Sequence, residues 1–144
     1  MATTQKDLMQ GYPLEKNYKR ISERDKKFLA GKVHTTIDYK FDRSANTKLN
    51  ENSTVDDIEF FLTRYIRYHD TDVVEFSRNH IVLDSGGYWT ATTKRRMNQA
   101  ADYFGLSFKI RQSAGVWYVD CSSSKYANRI SFKDSDNIVS FNSN

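Results

Sequence analysis

The sequence predicts a single α+β domain, with an antiparallel sheet of hairpins and about three helices. Three observations carry this prediction. Short segments alternate strictly between apolar and polar residues and are joined by compact turns. Between them lie stretches whose apolar residues recur at helical spacing. No segment repeats at a fixed period, which excludes a solenoid. A chain of 144 residues, 38% of them hydrophobic, is long enough to enclose one core.

The elements follow in order. Residues 1–12 lack periodicity and are expected to form a flexible N-terminus, with the domain spanning 13–144. From Pro13, Leu14, Tyr18, Ile21 and Phe28 share one helical face, and Gly31 is placed to stop the helix. In 33–41, Val33, Thr35, Ile37, Tyr39 and Phe41 alternate with polar residues, as in a half-buried strand. Residues 42–52 are polar and read as an exposed loop. Ser53 then serves as N-cap of a helix over about 54–68, with Asp56 and Asp57 suiting its dipole. Its apolar stripe is Val55, Ile58, Phe61, Leu62, Tyr65 and Ile66.

Two strands flank Arg78–Asn79 as a hairpin. Ser85-Gly86-Gly87 breaks the second strand. Thr92 or Thr93 caps a helix ending at Gly105, with Met97, Ala100, Ala101 and Phe104 on its apolar face. FKIRQ-SAG-VWYVDC reads as a second hairpin and RISFK-DSDN-IVSF as a third.

Composition narrows the function. The start of the chain is polar, and no apolar run approaches the roughly 20 residues of a membrane helix. The single cysteine, Cys121, can form neither an internal disulfide nor a cysteine-cluster metal site. The chain is expected to be cytosolic, with no cofactor implied. The net charge is +4 but unevenly spread. Residues 1–32 carry 8 basic and 4 acidic side chains; 33–85 carry 6 and 10; 86–111 carry 5 and 1; 112–144 carry 3 and 3. Basic blocks suit a polyanion or an acidic protein surface. A pI of about 9.1 speaks against an acidic mimic of DNA.

The basic block after Gly87 supplies the candidate site. Lys94, Arg95 and Arg96 are expected in the first turn of their helix, where cations oppose the dipole unless an anion offsets them. Asn98 and Gln99 lie one turn on, and could bind phosphate oxygens or read bases. Lys109 and Arg111, on the polar side of the next strand, extend the patch. Tyr88, Trp89, Trp117 and Tyr118 are possible stacking surfaces for single-stranded bases. A solvated charged face and core aromatics account for the same residues without a ligand. No complete helix-turn-helix, RNA-recognition or zinc-finger pattern is present. The set Lys16 to Lys27 is interleaved with Glu15, Glu23 and Asp25 and reads as solvated helix surface. No nucleophile elbow is present, and Cys121 reads as buried filler.

The segment Ser85-Gly-Gly-Tyr-Trp-Thr-Ala-Thr-Thr-Lys-Arg-Arg-Met-Asn-Gln, with Gly115-Val-Trp-Tyr-Val, resembles small accessory proteins of tailed bacteriophages over about residues 80–120. That resemblance implies a phage accessory protein made in the host bacterial cytoplasm and supplies no catalytic residues. The first expectation is therefore a non-enzymatic protein that binds nucleic acid or a host nucleoprotein complex through Lys94, Arg95, Arg96, Lys109 and Arg111, assisted by Asn98 and Gln99. Transcription control or counter-defence would follow. The second is a protein–protein inhibitor or virion component anchored by Tyr88, Trp89 and Trp117. The third is a metal-dependent phosphoesterase or nuclease using His69, Asp72, His80 or Asp84.

Overall fold

A computed structural model describes residues 15–50, 52–121 and 128–138. The expected flexible segment 1–12 lies outside them. Helix α1 (Glu15–Leu29) ends as expected, with Lys26 and Lys27 in its last turn, where positive charge meets the helix's negative end. Gly31 follows with φ +76°, a left-handed stop that suits glycine. Ile21, Asp25 and Phe28 form its buried face. Strand β1 (Thr35–Phe41) buries Thr35 and Tyr39; Val33, expected on the same face, stands exposed before the strand begins.

Residues 42–52 are not a plain exposed loop. A single turn, α2 (Ala45–Lys48), tucks Ala45 and the following Leu49 into a small core with Ile21, Tyr39, Ile58 and Leu62. Ser53 closes this loop by accepting from the Asn50 N–H at 2.8 Å.

The expected helix over 54–68 is corrected. Helix α3 (Val55–Phe60) is capped by Thr54, not Ser53. Thr54 Oγ1 accepts from the Asp57 N–H at 3.1 Å, and the Asp57 carboxylate accepts from the Thr54 N–H at 2.8 Å. After Phe61 the chain becomes strand β2 (Leu62–Tyr68). LTRYIRY satisfies both periods, because Leu62 and Ile66 are four apart and also alternate through Arg64. Tertiary pairing decides for the strand. Leu62, Arg64 and Ile66 all turn inward, and an ion pair draws Arg64 in.

Strands β3 (Thr71–Ser77) and β4 (His80–Leu83) form the hairpin expected around Arg78–Asn79. Helix α4 (Ala91–Phe104) follows and ends at Gly105, φ +68°. It buries Met97, Ala100 and Ala101. Strands β5 (Lys109–Ser113) and β6 (Val116–Cys121) form the second expected hairpin.

The third hairpin does not form among the described residues. Strand β7 (Asn128–Ser131) pairs with β6, whereas β8 (Asp136–Asn137) pairs with β4 in the other sheet. The chain between them crosses from one sheet to the other, so the DSDN segment turns towards a different partner.

The result is an antiparallel five-stranded sheet, β1-β2-β3-β4-β8, and an antiparallel three-stranded sheet, β5-β6-β7. One core unites them. Ile66, Val74 and Phe76 of the larger sheet, Met97 and Ala100 of α4, and Ile110, Trp117 and Val119 of the smaller sheet belong to one buried cluster. Each such large side chain taken fully from water contributes about 1.5–3 kcal/mol before entropy is counted. This continuity makes the molecule a single α+β domain, as expected. Among the described residues, no helix is long and apolar enough to cross a membrane.

Candidate nucleic-acid interface

The smaller sheet has one dry face and one wet face, and its pleat sorts the residues. Ile110, Trp117, Val119 and Cys121 point into the core. The opposite parity places Lys109, Arg111, Tyr118, Asp120 and Arg129 on the outer face. The Ala114–Gly115 turn sets this register. Both residues are left-handed, φ +51° and +79°, which matches the twist of a two-residue hairpin. Lys109 is thereby opposite Asp120, which is opposite Arg129; Arg111 is opposite Tyr118.

Asp120 is the hub of this face. Its carboxylate accepts from Arg129 Nε at 2.8 Å and Nη2 at 3.2 Å, and pairs with Arg111 Nε at 2.6 Å. The hydrogen bonds from Arg129, then its charge and those of Arg111, hold the Asp120 carboxyl below the usual aspartate range. The Arg129 guanidinium also lies 5.5 Å from the Tyr118 ring centroid. Two guanidinium groups thus hold one carboxylate, and Lys109 stands opposite it in the register.

Helix α4 abuts the β5 edge of this sheet. Asn98 makes the join, its amide donating to the Ile110 carbonyl at 3.0 Å and accepting from the Ile110 N–H at 2.7 Å. Lys94 reaches from the same helix to Gln112 Oε1 at 2.9 Å. The cap of α4 is Thr90, not Thr92 or Thr93; its hydroxyl accepts from the Thr93 N–H at 3.2 Å. That moves Lys94 to the end of the first turn and Arg95 and Arg96 into the second. Cations opposing the dipole therefore cannot single out this helix, because the effect fades within one turn.

The seven candidate residues do not share one surface. Lys109, Arg111 and Arg95 are exposed, whereas Lys94 is half-buried on the inner side of the sheet, bonded to Gln112 and 5.9 Å from the Trp117 ring centroid. Arg96 is buried on the other flank of α4. It donates to Thr35 Oγ1 at 3.0 Å and to Gln99 Oε1 at 2.9 Å and lies over the Tyr68 ring. Asn98 and Gln99 are thereby occupied in internal bonds. Arg129 belongs to the exposed set, yet the sequence alone does not single it out. Its signal is the alternation of Arg129 and Ser131 with Ile130 and Phe132, which gains meaning once β7 is known to pair with β6.

The aromatics also divide. Trp117 is buried and therefore offers no stacking or docking surface. Trp89 is half exposed, with its ring edge-on to Trp117 and Phe132. Tyr88 is exposed at 67%. The residues of the metal-centre expectation go to separate partners. His69 stacks on His34, Asp72 holds Arg67, His80 contacts Glu75 and Ser77, and Asp84 holds the Gly86 N–H and Ser135. Among the described residues no group of three or more His, Cys, Asp or Glu side chains could hold a metal ion.

The Kyanoviridae Gp96 protein family matches the chain over residues 27–140. The chain belongs to this phage protein family. The match runs from the end of α1 through β8, and so contains the whole basic sheet face of this Gp96-family protein. It also extends well beyond the segment that carries the resemblance to phage accessory proteins. No curated protein and no solved structure matches the chain.

Proposed function

We propose that this Gp96-family phage protein is a non-enzymatic nucleic-acid-binding protein. Its contact surface is the outer face of the smaller sheet, formed by Lys109, Arg111 and Arg129. The observation that supports this most is the disposition of Lys109, Arg111 and Arg129 around Tyr118, with Asp120 as their one carboxylate neighbour in the register rows. Phosphates would exchange with Asp120 for the guanidinium groups, and counterion release would favour the exchange. The half-buried Tyr118 ring on the outer face can stack a base of a single strand, whereas the stacked bases of a duplex cannot reach it. Binding of this kind serves transcription control or interference with a host nucleoprotein complex.

Charge reversal tests it. Arg129→Glu is expected to weaken binding of a labelled oligonucleotide at least tenfold by fluorescence anisotropy. Lys27→Glu, a reversal of equal size on α1, is expected to change it less than twofold. Equal losses from the two variants would remove the sheet face as the site. A protein-binding role is favoured by one feature, the adjacent exposed Tyr88 and Trp89. In that case Trp89→Ala, rather than charge reversal, abolishes partner capture.

A further inference from the structure

A second site lies on the far flank of α4. The tip of the β2–β3 hairpin and the segment 85–93 enclose a cavity of about 400 Å³. That volume falls in the range of small-molecule sites, roughly 300–1,000 Å³. Tyr68 and His69 line it from the hairpin and Tyr88 from the opposing loop. Buried Val73 and Thr93 lie at its depth, and exposed Asp70 at its mouth.

The cavity is built rather than incidental. Ser85 fixes the loop, its N–H and hydroxyl donating to the Asp134 carboxylate at 2.7 and 3.0 Å. Ser85 Oγ also accepts from the Gly87 N–H at 3.1 Å. Gly86 presses so closely on the hairpin that a Cβ there would sit 2.1 Å from Thr71 Oγ1. Its φ of +64° suits only glycine without strain. The hairpin side carries strain. His69 begins the two-residue His69–Asp70 turn with φ +54°, where glycine is the least costly residue. His34, with the same φ, stacks on it at 4.5 Å and 22°. A side chain held at a strained position beside a preformed cavity points to use of that side chain.

We infer that this cavity binds a nucleobase. The ring stacks between Tyr88 and His69, which His34 backs on its other face, and its exocyclic amine donates to the Asp70 carboxylate. Aromatic side chains on two sides select a planar ring, and one carboxylate selects a donor. The base can belong to a free nucleoside or nucleotide or to one position of a strand. This site stands apart from the basic sheet face and does not depend on it.

Calorimetric titration of the full chain tests the inference. Adenosine is compared with purine riboside, which lacks only the amine, and AMP with a short oligoadenylate. Adenosine is expected to bind at least tenfold more tightly than purine riboside. Asp70→Ala is expected to erase that difference, and Tyr88→Ala to weaken both ligands tenfold or more. Both substituted residues are exposed, and unchanged thermal melts confirm that the variants fold. Preference for AMP or for the oligonucleotide identifies the source of the base. No heat from any of the four ligands at millimolar concentration overturns the inference. So does adenosine binding that neither substitution changes.

Discussion

Asp25 shows what one buried side chain commits the protein to. Its Oδ2 accepts from the Tyr39 hydroxyl and from Arg64 Nε, while Oδ1 is buried without a hydrogen-bond partner. Burial pushes its carboxyl above the ordinary aspartate range, outweighing the charge and hydrogen bond of Arg64. The folded state therefore binds more protons than the unfolded state between the ordinary and the raised value. Stability from this group is greatest at the acid end of that window and falls as pH rises through the folded pKa. Asp25→Asn is expected to remove this slope. Urea denaturation of both proteins from about pH 4 to pH 8 checks it, and parallel pH profiles would contradict it. Ala114 is a second residue whose backbone sets its cost. It takes φ +51° in a turn that favours Asn-Gly. Ala114→Asn is expected to stabilise by about 0.5–1 kcal/mol, seen as a rise of roughly 2–4 °C in Tm. A fall in Tm would contradict the turn geometry.

At the scale of elements, the Asn98–Ile110 pair joins helix to sheet. Asn98 satisfies both backbone groups of an edge residue, which protects the β5 edge as well as fixing α4. Asn98→Ala is expected to cost about 1–3 kcal/mol in denaturant unfolding. Faster hydrogen exchange at the Ile110 amide should accompany it; an unchanged rate would contradict this role. Element type is legible in the sequence where one period dominates. The strand at Thr35–Phe41, the Arg78–Asn79 and Ala114–Gly115 hairpins and the helix ending at Gly105 all follow from pattern and turn chemistry. The stretch 54–68 is not legible, because Leu62, Arg64 and Ile66 fit a strand only once Asp25, 39 residues away, draws Arg64 inward. The third hairpin fails for a similar reason. Alternation identifies a strand but not its partner, and residues 128–137 divide between two sheets.

At the scale of the molecule, the sequence locates two basic blocks but not their surfaces. Lys109 and Arg111 are legible as outward residues from strict alternation with Phe108 and Ile110. Arg96 is not legible as a buried residue, because its partners Thr35 and Tyr68 come from β1 and β2. Arg129 escapes a sequence reading because its neighbours on the outer face lie one strand away in space and about ten or more residues away along the chain. The family match covers both the sheet face and the cavity, so neither lies outside the shared domain. Phosphate binding by the outer sheet face predicts a steep salt dependence. Binding of single- and double-stranded oligonucleotides is measured across a salt series for the wild type and for the Lys109→Ala/Arg111→Ala/Arg129→Ala variant. Removing one phosphate-binding side chain should flatten the log–log slope by roughly 0.7–0.9, so the triple variant's slope should be shallower by about two or more, and the wild type should prefer the single strand. Equal slopes for the two proteins, or no wild-type binding near physiological salt, would show that the outer sheet face does not bind phosphates.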